Sequence, residues 1–514
     1  MTDTISLASG PLASGDMVPT ASPPGKPVRY LVERDYTDLV PVHVVWEVTL
    51  ACNLKCQHCG SRAGRPRADE LTTVEALDLI DHLAALGTRE LTLIGGEAYL
   101  RKDWIELIRR SRDHDIRTAI QTGARNLTDK RLDEAIEAGL QGVGVSIDGL
   151  PDLHDRVRGV PGSYDQAIDA LKRAKVRGLA VSVNTQIGAE TAEHLPELMD
   201  RIIDAGATHW QIQLTVAMGN AVDNPELLLQ PYKLLEVMPL LARLYREGEA
   251  RGLLMVVGNN IGYFGPYEHL WRGFGDETDH WNGCSAGQTG IGIEADGTIK
   301  GCPSLATSLY AAGNVREMSI KDIWRHSEKM SFGRLRDVEE LWGYCRTCYF
   351  ADVCRAGCTW TSESLLGKRG NNPYCHHRVL DLAKHGLRER VVKIKDAPPQ
   401  SFAVGEFALI TEAIPGVEAS PLPVRDVSAV HVARRERSTA GGALPPKLDL
   451  CRACDQYIWP HETTCPHCDA DVAEAEIQHQ TDTERRRALI VEATRVLSRL
   501  KPSQEIGSLD GVSA

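Results

Sequence analysis

An α/β fold is predicted: a partial (β/α)6 TIM-like barrel, then a cysteine-dense domain, then a small four-cysteine module. Three observations predict it. Between residues 28 and 252, six short apolar runs alternate with amphipathic stretches, the pattern of parallel strands joined by crossover helices. The connections are short, so successive units lie side by side. Fourteen cysteines fall into three groups along the chain, and each group marks a ligated unit better than a disulfide framework.

Taken in order, residues 1–27 hold five Pro, four Ser and three Gly with little apolar periodicity, and read as a flexible tail. The barrel is assigned to 28–270. Its strands are expected at Val42–Val48, Glu90–Ile94, Arg117–Gln121, Gly142–Ser146, Ala180–Ile187 and His209–Leu214. Thr72–Leu86 reads as a helix, opened by a Thr72/Glu75 capping box and striped by Leu79, Ile80, Leu83 and Leu86. The cysteine-dense domain spans 271–397, a Pro- and Gly-rich linker 398–447, the four-cysteine module 448–472, and a helix with a tail 473–514. In that last segment Leu489, Ala493, Val496, Leu497 and Leu500 share one side of a helix from Glu484 to Leu500, with Arg485, Arg486, Arg495 and Arg499 elsewhere. It reads as packed on the module or core in preference to binding a partner.

Composition excludes some functions. A net charge of −12 over 514 residues argues against a general nucleic-acid surface. The N-terminus lacks a basic segment followed by an apolar one, and no run of 18 apolar residues occurs, so the expectation is a cytoplasmic chain without a membrane partner. Cysteines in a reducing compartment are metal ligands more readily than disulfides.

The run Cys52-Asn53-Leu54-Lys55-Cys56-Gln57-His58-Cys59 follows the first expected strand. One tight loop with three thiolates is a poor tetrahedral zinc site but suits an iron–sulfur cubane that leaves one iron open. Gly95-Gly96-Glu97 follows the second strand, and Ser146-Ile147-Asp148-Gly149 ends the fourth. Alone, Gly-Gly-Glu is an ordinary strand-to-helix turn. One β/α unit after the cysteine loop it favours function, since glycines let backbone carbonyls approach a ligand ammonium and Glu97 adds an acceptor. Loops at strand C-termini converge on one face of such a barrel.

These motifs resemble the radical S-adenosylmethionine (SAM) enzymes. The resemblance implies that Cys52, Cys56 and Cys59 carry a [4Fe–4S] cluster whose fourth iron binds SAM. It places Gly95, Gly96 and Glu97 at the methionyl amino group and His58 near the adenine. Thr122-Gly123 stands at a Thr-Asn-Gly position without the Asn, and Ala98 replaces a common Pro. Ser146, Asp148, His154-Asp155 and Arg158 match the family's S-x-D-G and H-D-x-x-R segments, near the ribose and carboxylate of SAM.

Seven further cysteines, Cys284, Cys302, Cys345, Cys348, Cys354, Cys358 and Cys375, resemble the SPASM extension of radical SAM peptide maturases. The family topology implies one auxiliary [4Fe–4S] cluster on Cys345, Cys348, Cys354 and Cys375, and a second on Cys284, Cys302 and Cys358. The second set lacks a fourth thiolate. Asp276, Asp279, His280 and Gly290 stand nearby, so a carboxylate or imidazole fills the place, or an iron stays open. Two structural zinc sites are the alternative, but an odd cysteine count and the interleaved spacing suit them badly. Cys451, Cys454, Cys465 and Cys468 make two C-x2-C knuckles ten residues apart, spaced for a zinc ribbon or, less well, a rubredoxin-type iron.

The resemblance implies reductive cleavage of SAM, hydrogen abstraction from substrate, and a flavodoxin- or ferredoxin-like external one-electron reductant. The expected substrate is a ribosomally made peptide that is modified or cross-linked. The alternative is a haem or tetrapyrrole precursor. Sulfatase maturases carry an Asp base after the cysteine matching Cys302, and Pro303 cannot accept a proton. About forty residues precede Val42, so leader recognition would need a separate protein or the C-terminal module. No catalytic side chain is assigned. A non-catalytic electron-transfer or partner-binding protein is the reading from another class, and the open three-cysteine loop with Gly95–Glu97 argues against it. Tyr263, Phe264, Tyr267 and Trp271 could line a groove, but an aromatic cluster at a domain junction is more often core.

Overall fold

The computed structural model describes residues 28–272, 279–334, 338–422 and 447–499. After a short helix α1 (Glu33–Thr37), seven strands follow in chain order: β1 (His43–Glu47), β2 (Glu90–Ile94), β3 (Arg117–Thr122), β4 (Leu140–Ser146), β5 (Ala180–Ile187), β6 (His209–Leu214) and β7 (Leu254–Val257). Each pairs in parallel with the next. The first six answer to the six expected runs; β7 is additional. Helices α2 (Thr73–Ala85), α3 (Trp104–Asp113), α4 (Asp129–Ala138), α5 (Pro151–Arg158), α6 (Ser163–Val176) and α7 (Leu195–Asp204) connect them.

Period-2 alternation sorts the strand residues between two faces. Val44, Trp46, Leu91, Leu93, Ile120, Val143, Val183 and Trp210 are buried under the helices. Helix α2 answers with Leu79, Ile80 and Leu83, all buried. Its capping box forms: the Glu75 N–H donates to Thr72 Oγ1 at 3.3 Å, and the Thr72 N–H donates to Glu75 Oε2 at 2.8 Å.

The sheet does not stop at the barrel. β8 (Gly290–Ile293) pairs in parallel with β1, and β9 (Thr298–Lys300) and β10 (Gly313–Asn314) extend it antiparallel to ten strands. The expected division at 270/271 therefore cuts across one sheet. The β1 edge would otherwise present unpaired N–H and C=O groups, and β8 covers it.

The segment read as a linker, 398–447, is partly ordered structure. β11 (Leu387–Lys395) and β12 (Glu406–Ala413) form an antiparallel hairpin, clamped by Gln230, which accepts from the Val391 N–H at 2.9 Å and donates to the Val391 carbonyl at 3.2 Å. Pro398, Pro399 and Gly405 sit in its turn, so the composition reflects a turn; residues 423–446 lie outside the described residues. Beyond them, β13 (Asp449–Leu450) and β14 (Tyr457–Ile458) make a small hairpin. The last helix runs Val472–Arg499, starting twelve residues before the expected Glu484. It is not packed as anticipated: Ile477, Leu489, Ile490 and Val491 are all more than 60% exposed. Val496, Leu497, Leu500, Arg495 and Arg499 have no described side chains.

Candidate active site and cluster pockets

The cysteine loop leaves β1, Gly95–Glu97 leaves β2, Thr122-Gly123 ends β3 and Ser146–Gly149 ends β4, so all stand on the C-terminal rim of adjacent parallel strands. Backbone bonds staple the cysteine loop to the end of α5: the Lys55 N–H donates to the Arg158 carbonyl at 3.1 Å and the Gln57 N–H to the Val157 carbonyl at 2.8 Å. Cys52 Sγ accepts from the Leu54 N–H and Cys59 Sγ from the Ala63 N–H, both at 3.4 Å. Arg158 Nη1 reaches Cys56 Sγ at 3.7 Å.

Burial pushes the Cys52 thiol up to about 12 and the Cys56 thiol up to about 11. Thiolates at this depth need a cation beside them, and the iron of a cluster is one. The glycines after β2 are required by the cysteine loop's own backbone. A Cβ on Gly96 would stand 2.2 Å from the Ala51 carbonyl oxygen and 2.7 Å from Cys52 Cβ, and one on Gly95 (φ +150°) 2.1 Å from the Thr49 carbonyl oxygen.

Glu97 is buried and turned toward the loop after β3. It accepts from Thr122 Oγ1 and, at 2.8 Å, from the Gly123 N–H, so it braces that loop. Burial raises its carboxyl to about 7, against these hydrogen bonds.

Asp148 is a hub. It accepts from the Gln186 N–H at 3.0 Å, meets His58 Nε2 at 2.9 Å and pairs with Arg158 at 2.7 Å. Burial alone would raise its carboxyl, but Arg158 and His58 hold it well below the usual carboxylate range. With three protein partners, it positions His58 and Arg158 beside the cysteine loop. His154 and Asp155 have local work: His154 Nδ1 accepts from the Asp148 N–H at 3.2 Å, and Asp155 accepts from Tyr164 N–H at 2.8 Å and Ser163 Oγ at 2.9 Å, opening α6.

The lumen side of the strands was not singled out from the sequence. Register places Ser146 beside Asn184, Asn184 beside Gln211, Gln186 beside Gln213, and Gln121 beside Gly144. Asn184 Nδ2 donates to Gln121 Oε1, while Asn184 Oδ1 is buried without a partner among the described residues. Polar residues at every second position in S-V-N-T-Q-I and W-Q-I-Q-L were the available signal. The cations beside the loop are already paired: Arg62 with Asp223 at 2.5 Å, Arg158 with Asp148, Arg67 with Glu294 at 2.8 Å, and Lys300 with Glu294 at 2.8 Å.

Phe402 enters the same region from the β11–β12 turn. Its N–H donates to the Gly60 carbonyl at 3.0 Å, and its ring lies 3.8 Å under Lys300 Nζ. Trp360 packs against the apolar cluster that holds Phe402 and against the one on which Cys284 and Cys302 also pack.

The seven middle cysteines fall into two neighbourhoods. Cys358 stands beside Cys284 and Cys302, and burial raises its thiol to about 12. Cys354 stands beside Cys345, Cys348 and Cys375, in a pocket also lined by Tyr263, Phe264 and Phe350. Of the residues considered for the missing position beside Cys284, Cys302 and Cys358, His280 is committed elsewhere: Nε2 accepts from the Leu448 N–H at 3.0 Å and Nδ1 lies 3.2 Å from the Trp281 carbonyl. Asp279 is exposed, Gly290 is a strand residue, and Asp276 lies outside the described residues. Tyr263, Phe264 and Trp271 are core, and Tyr267 is partly buried against it; the Tyr263 hydroxyl accepts from the Cys358 N–H at 2.9 Å.

The four ribbon sulfurs all lie within 4.8 Å of one another, with Cys451–Cys468 at 3.9 Å and Cys454–Cys465 at 3.7 Å. A tetrahedron with Zn–S bonds of about 2.3 Å has edges of about 3.8 Å, so the donor set fits zinc. The other cysteine sets are not drawn this tightly among the described residues.

Residues 46–202 match the Radical SAM superfamily, and residues 284–349 match SPASM, an iron–sulfur cluster-binding domain. The chain is similar to the AdoMet-dependent heme synthase of Methanosarcina barkeri (strain Fusaro / DSM 804), 28% identical over 349 residues, covering 66% of this chain and 97% of that protein. It is also similar to the mycofactocin maturase MftC of Mycolicibacterium smegmatis (strain ATCC 700084 / mc(2)155), 28% identical over 339 residues, covering 65% and 82%. Among solved structures, Streptococcus suis SuiB bound to S-adenosylmethionine shares the fold with a TM-score of 0.52 at 18% identity, over 65% of this chain and 76% of that one. The domain matches therefore coincide with the three-cysteine rim and the strands that extend it, and the chain is a radical SAM enzyme with a SPASM domain.

Proposed function

We propose that this enzyme is a peptide maturase. Cys52, Cys56 and Cys59 hold the SAM-binding [4Fe–4S] cluster, and His58, Gly95, Gly96, Glu97, Thr122, Ser146, Asp148 and Arg158 build the wall of the SAM site. Cys345, Cys348, Cys354 and Cys375 hold one auxiliary cluster, and Cys284, Cys302 and Cys358 the other. When bound, SAM and its cluster supply a 5′-deoxyadenosyl radical that abstracts hydrogen from substrate. The chain's residues orient the reactants and exclude water.

The observation that carries the peptide reading is the lumen. Gln121, Asn184, Gln186, Gln211 and Gln213 offer uncharged donors and acceptors in register, and side-chain amides pair with both halves of a peptide bond. Arg62, Arg67, Arg158 and Lys300 are neutralised by carboxylates. A macrocycle bearing several carboxylates would bury them against paired cations, which is costly. The haem-precursor reading draws support from the heme synthase relative, which the match spans over 97% of its length.

The test is anaerobic turnover of the full chain with SAM and a flavodoxin- or ferredoxin-like reductant. Two substrates are offered in parallel: a short peptide encoded beside the gene, and iron-coproporphyrin. Peptide-dependent 5′-deoxyadenosine release with a mass change in the peptide is expected. Turnover of the porphyrin alone would reverse the choice, and a separate leader-recognition protein is added when the peptide needs one.

A further inference from the structure

The zinc-ribbon module leans on the pocket of one auxiliary cluster. That pocket is lined by Cys345, Cys348, Cys354 and Cys375 together with Phe264 and Phe350. Phe350 stacks on Phe264 with centroids 4.1 Å apart and planes at 11°, and the His467 ring stacks on Phe350 at 5.6 Å and 23°. His467 sits between two ribbon ligands, in Cys465-Pro466-His467-Cys468. Its N–H donates to Cys465 Sγ at 3.4 Å, so the knuckle fixes where the ring stands.

Hydrogen bonds hold the two units in that register. The Trp459 N–H donates to the Tyr349 hydroxyl at 2.9 Å, and the Trp459 indole to the Tyr349 carbonyl at 3.4 Å. Tyr457, fully buried, donates its hydroxyl to the Asp279 carbonyl at 2.8 Å and meets Phe264 edge-on. Lys384 Nζ donates to the His467 carbonyl at 3.3 Å.

We propose that the ribbon is the outer wall of this pocket and that His467 and Trp459 are positioning residues, which keep water from the auxiliary cluster and so set its reduction potential. The inference rests on the assignment of Cys345, Cys348, Cys354 and Cys375 to one cluster. A four-thiolate cubane gains negative charge on reduction, and solvent exposure is one of the levers on its potential. Rings in place of water leave that charge poorly solvated. Opening the wall therefore favours the reduced form and raises the potential.

The experiment is potentiometric titration followed by electron paramagnetic resonance on the anaerobically reconstituted full chain. Cys52, Cys56 and Cys59 are replaced by Ala so that auxiliary signals stand alone. Cys375→Ala identifies the signal of interest by its loss. His467→Ala and Trp459→Ala are expected to keep zinc and iron contents at parental levels and to shift that signal positively. The expected size is about a tenfold change in reduced-to-oxidised ratio at fixed poise, which is about 59 mV for one electron. The same signal should bleach faster in air. His461→Ala, on the ribbon but 69% exposed, should change neither. Parental potentials and bleaching in both variants with zinc retained would overturn the wall. A parent with no signal sensitive to Cys375→Ala would overturn the cluster assignment, and the wall with it.

Discussion

Asp148→Asn tests whether the rim is organised through one buried carboxylate. The substitution keeps shape, and the Asn oxygen can still accept the Gln186 N–H, now held at 3.0 Å. It turns N–H donors toward Arg158 and His58, which Asp148 meets at 2.7 and 2.9 Å. The Arg158 guanidinium is then buried without its anion, a loss of about 3–5 kcal/mol. At about 1.4 kcal/mol per tenfold, local opening of the cysteine loop should rise by roughly two to four orders of magnitude. The readout is hydrogen exchange at Lys55 and Gln57, whose N–H groups bond the Arg158 and Val157 carbonyls. Their protection should fall by that factor, with iron content after reconstitution falling alongside. The pH dependence has a definite sign. A carboxyl held below its ordinary value contributes stability that is complete above about 3.9 and lost as pH falls through the folded value, so the two proteins should converge only in strong acid. Unchanged protection at Lys55 and Gln57 would refute the hub.

Gly96→Ala should cost about 1–3 kcal/mol through overpacking against Ala51 and Cys52, and iron and SAM titrations of normal stoichiometry and affinity would contradict it. Glu97→Gln should flatten a pH dependence: because burial raises Glu97 to about 7, stability is complete below the ordinary carboxylate value and declines as pH rises through about 7, by about 3 kcal/mol. Melts of cluster-free protein at pH 5 and pH 8 check this, and identical slopes in parent and variant would exclude it. Cys454→Ser should lower zinc from about one per chain to near zero while iron stays constant; elemental analysis that finds zinc unchanged would remove the ribbon site.

The strands of the barrel were legible because each buried run is framed by an amphipathic helix, and the C-x2-C knuckles because ligand spacing is local. What escaped depends on partners far apart in sequence. Gly95–Glu97 reads as a ligand motif, yet the Glu97 carboxylate braces Thr122 and Gly123, 25 and 26 residues away. His154 and Asp155 match a family segment, and Asp155 also satisfies N–H groups at the start of α6. Pro398, Pro399 and Gly405 looked like a linker because turns and linkers share a composition. The exposed apolar residues of the last helix could not be told from a packed stripe, since periodicity names a face and not what covers it.

One feature of the joined sheet bears on how the two halves of the site stay aligned. β1 ends at Glu47 and β8 is followed by Glu294 and Asp296; Arg67, eight residues after Cys59, reaches all three at 3.2, 2.8 and 3.3 Å. Lys300, fully buried and two residues before Cys302, pairs with Glu294 at 2.8 Å and donates to the Leu305 carbonyl at 2.7 Å. Burial raises Glu47 to about 8, so at neutral pH it keeps its proton, and two cations face two anions in a balanced set. Such a buried set adds little net stability, because desolvation consumes most of the attraction. Its geometry is demanding all the same: a shift of one strand against the other leaves a charge unpaired. The set therefore resists sliding of β8 along β1, and with it any drift of Cys302 relative to the cysteine loop. Strand pairing sets the coarse register between the two cluster neighbourhoods, and the charges make displacement from it expensive.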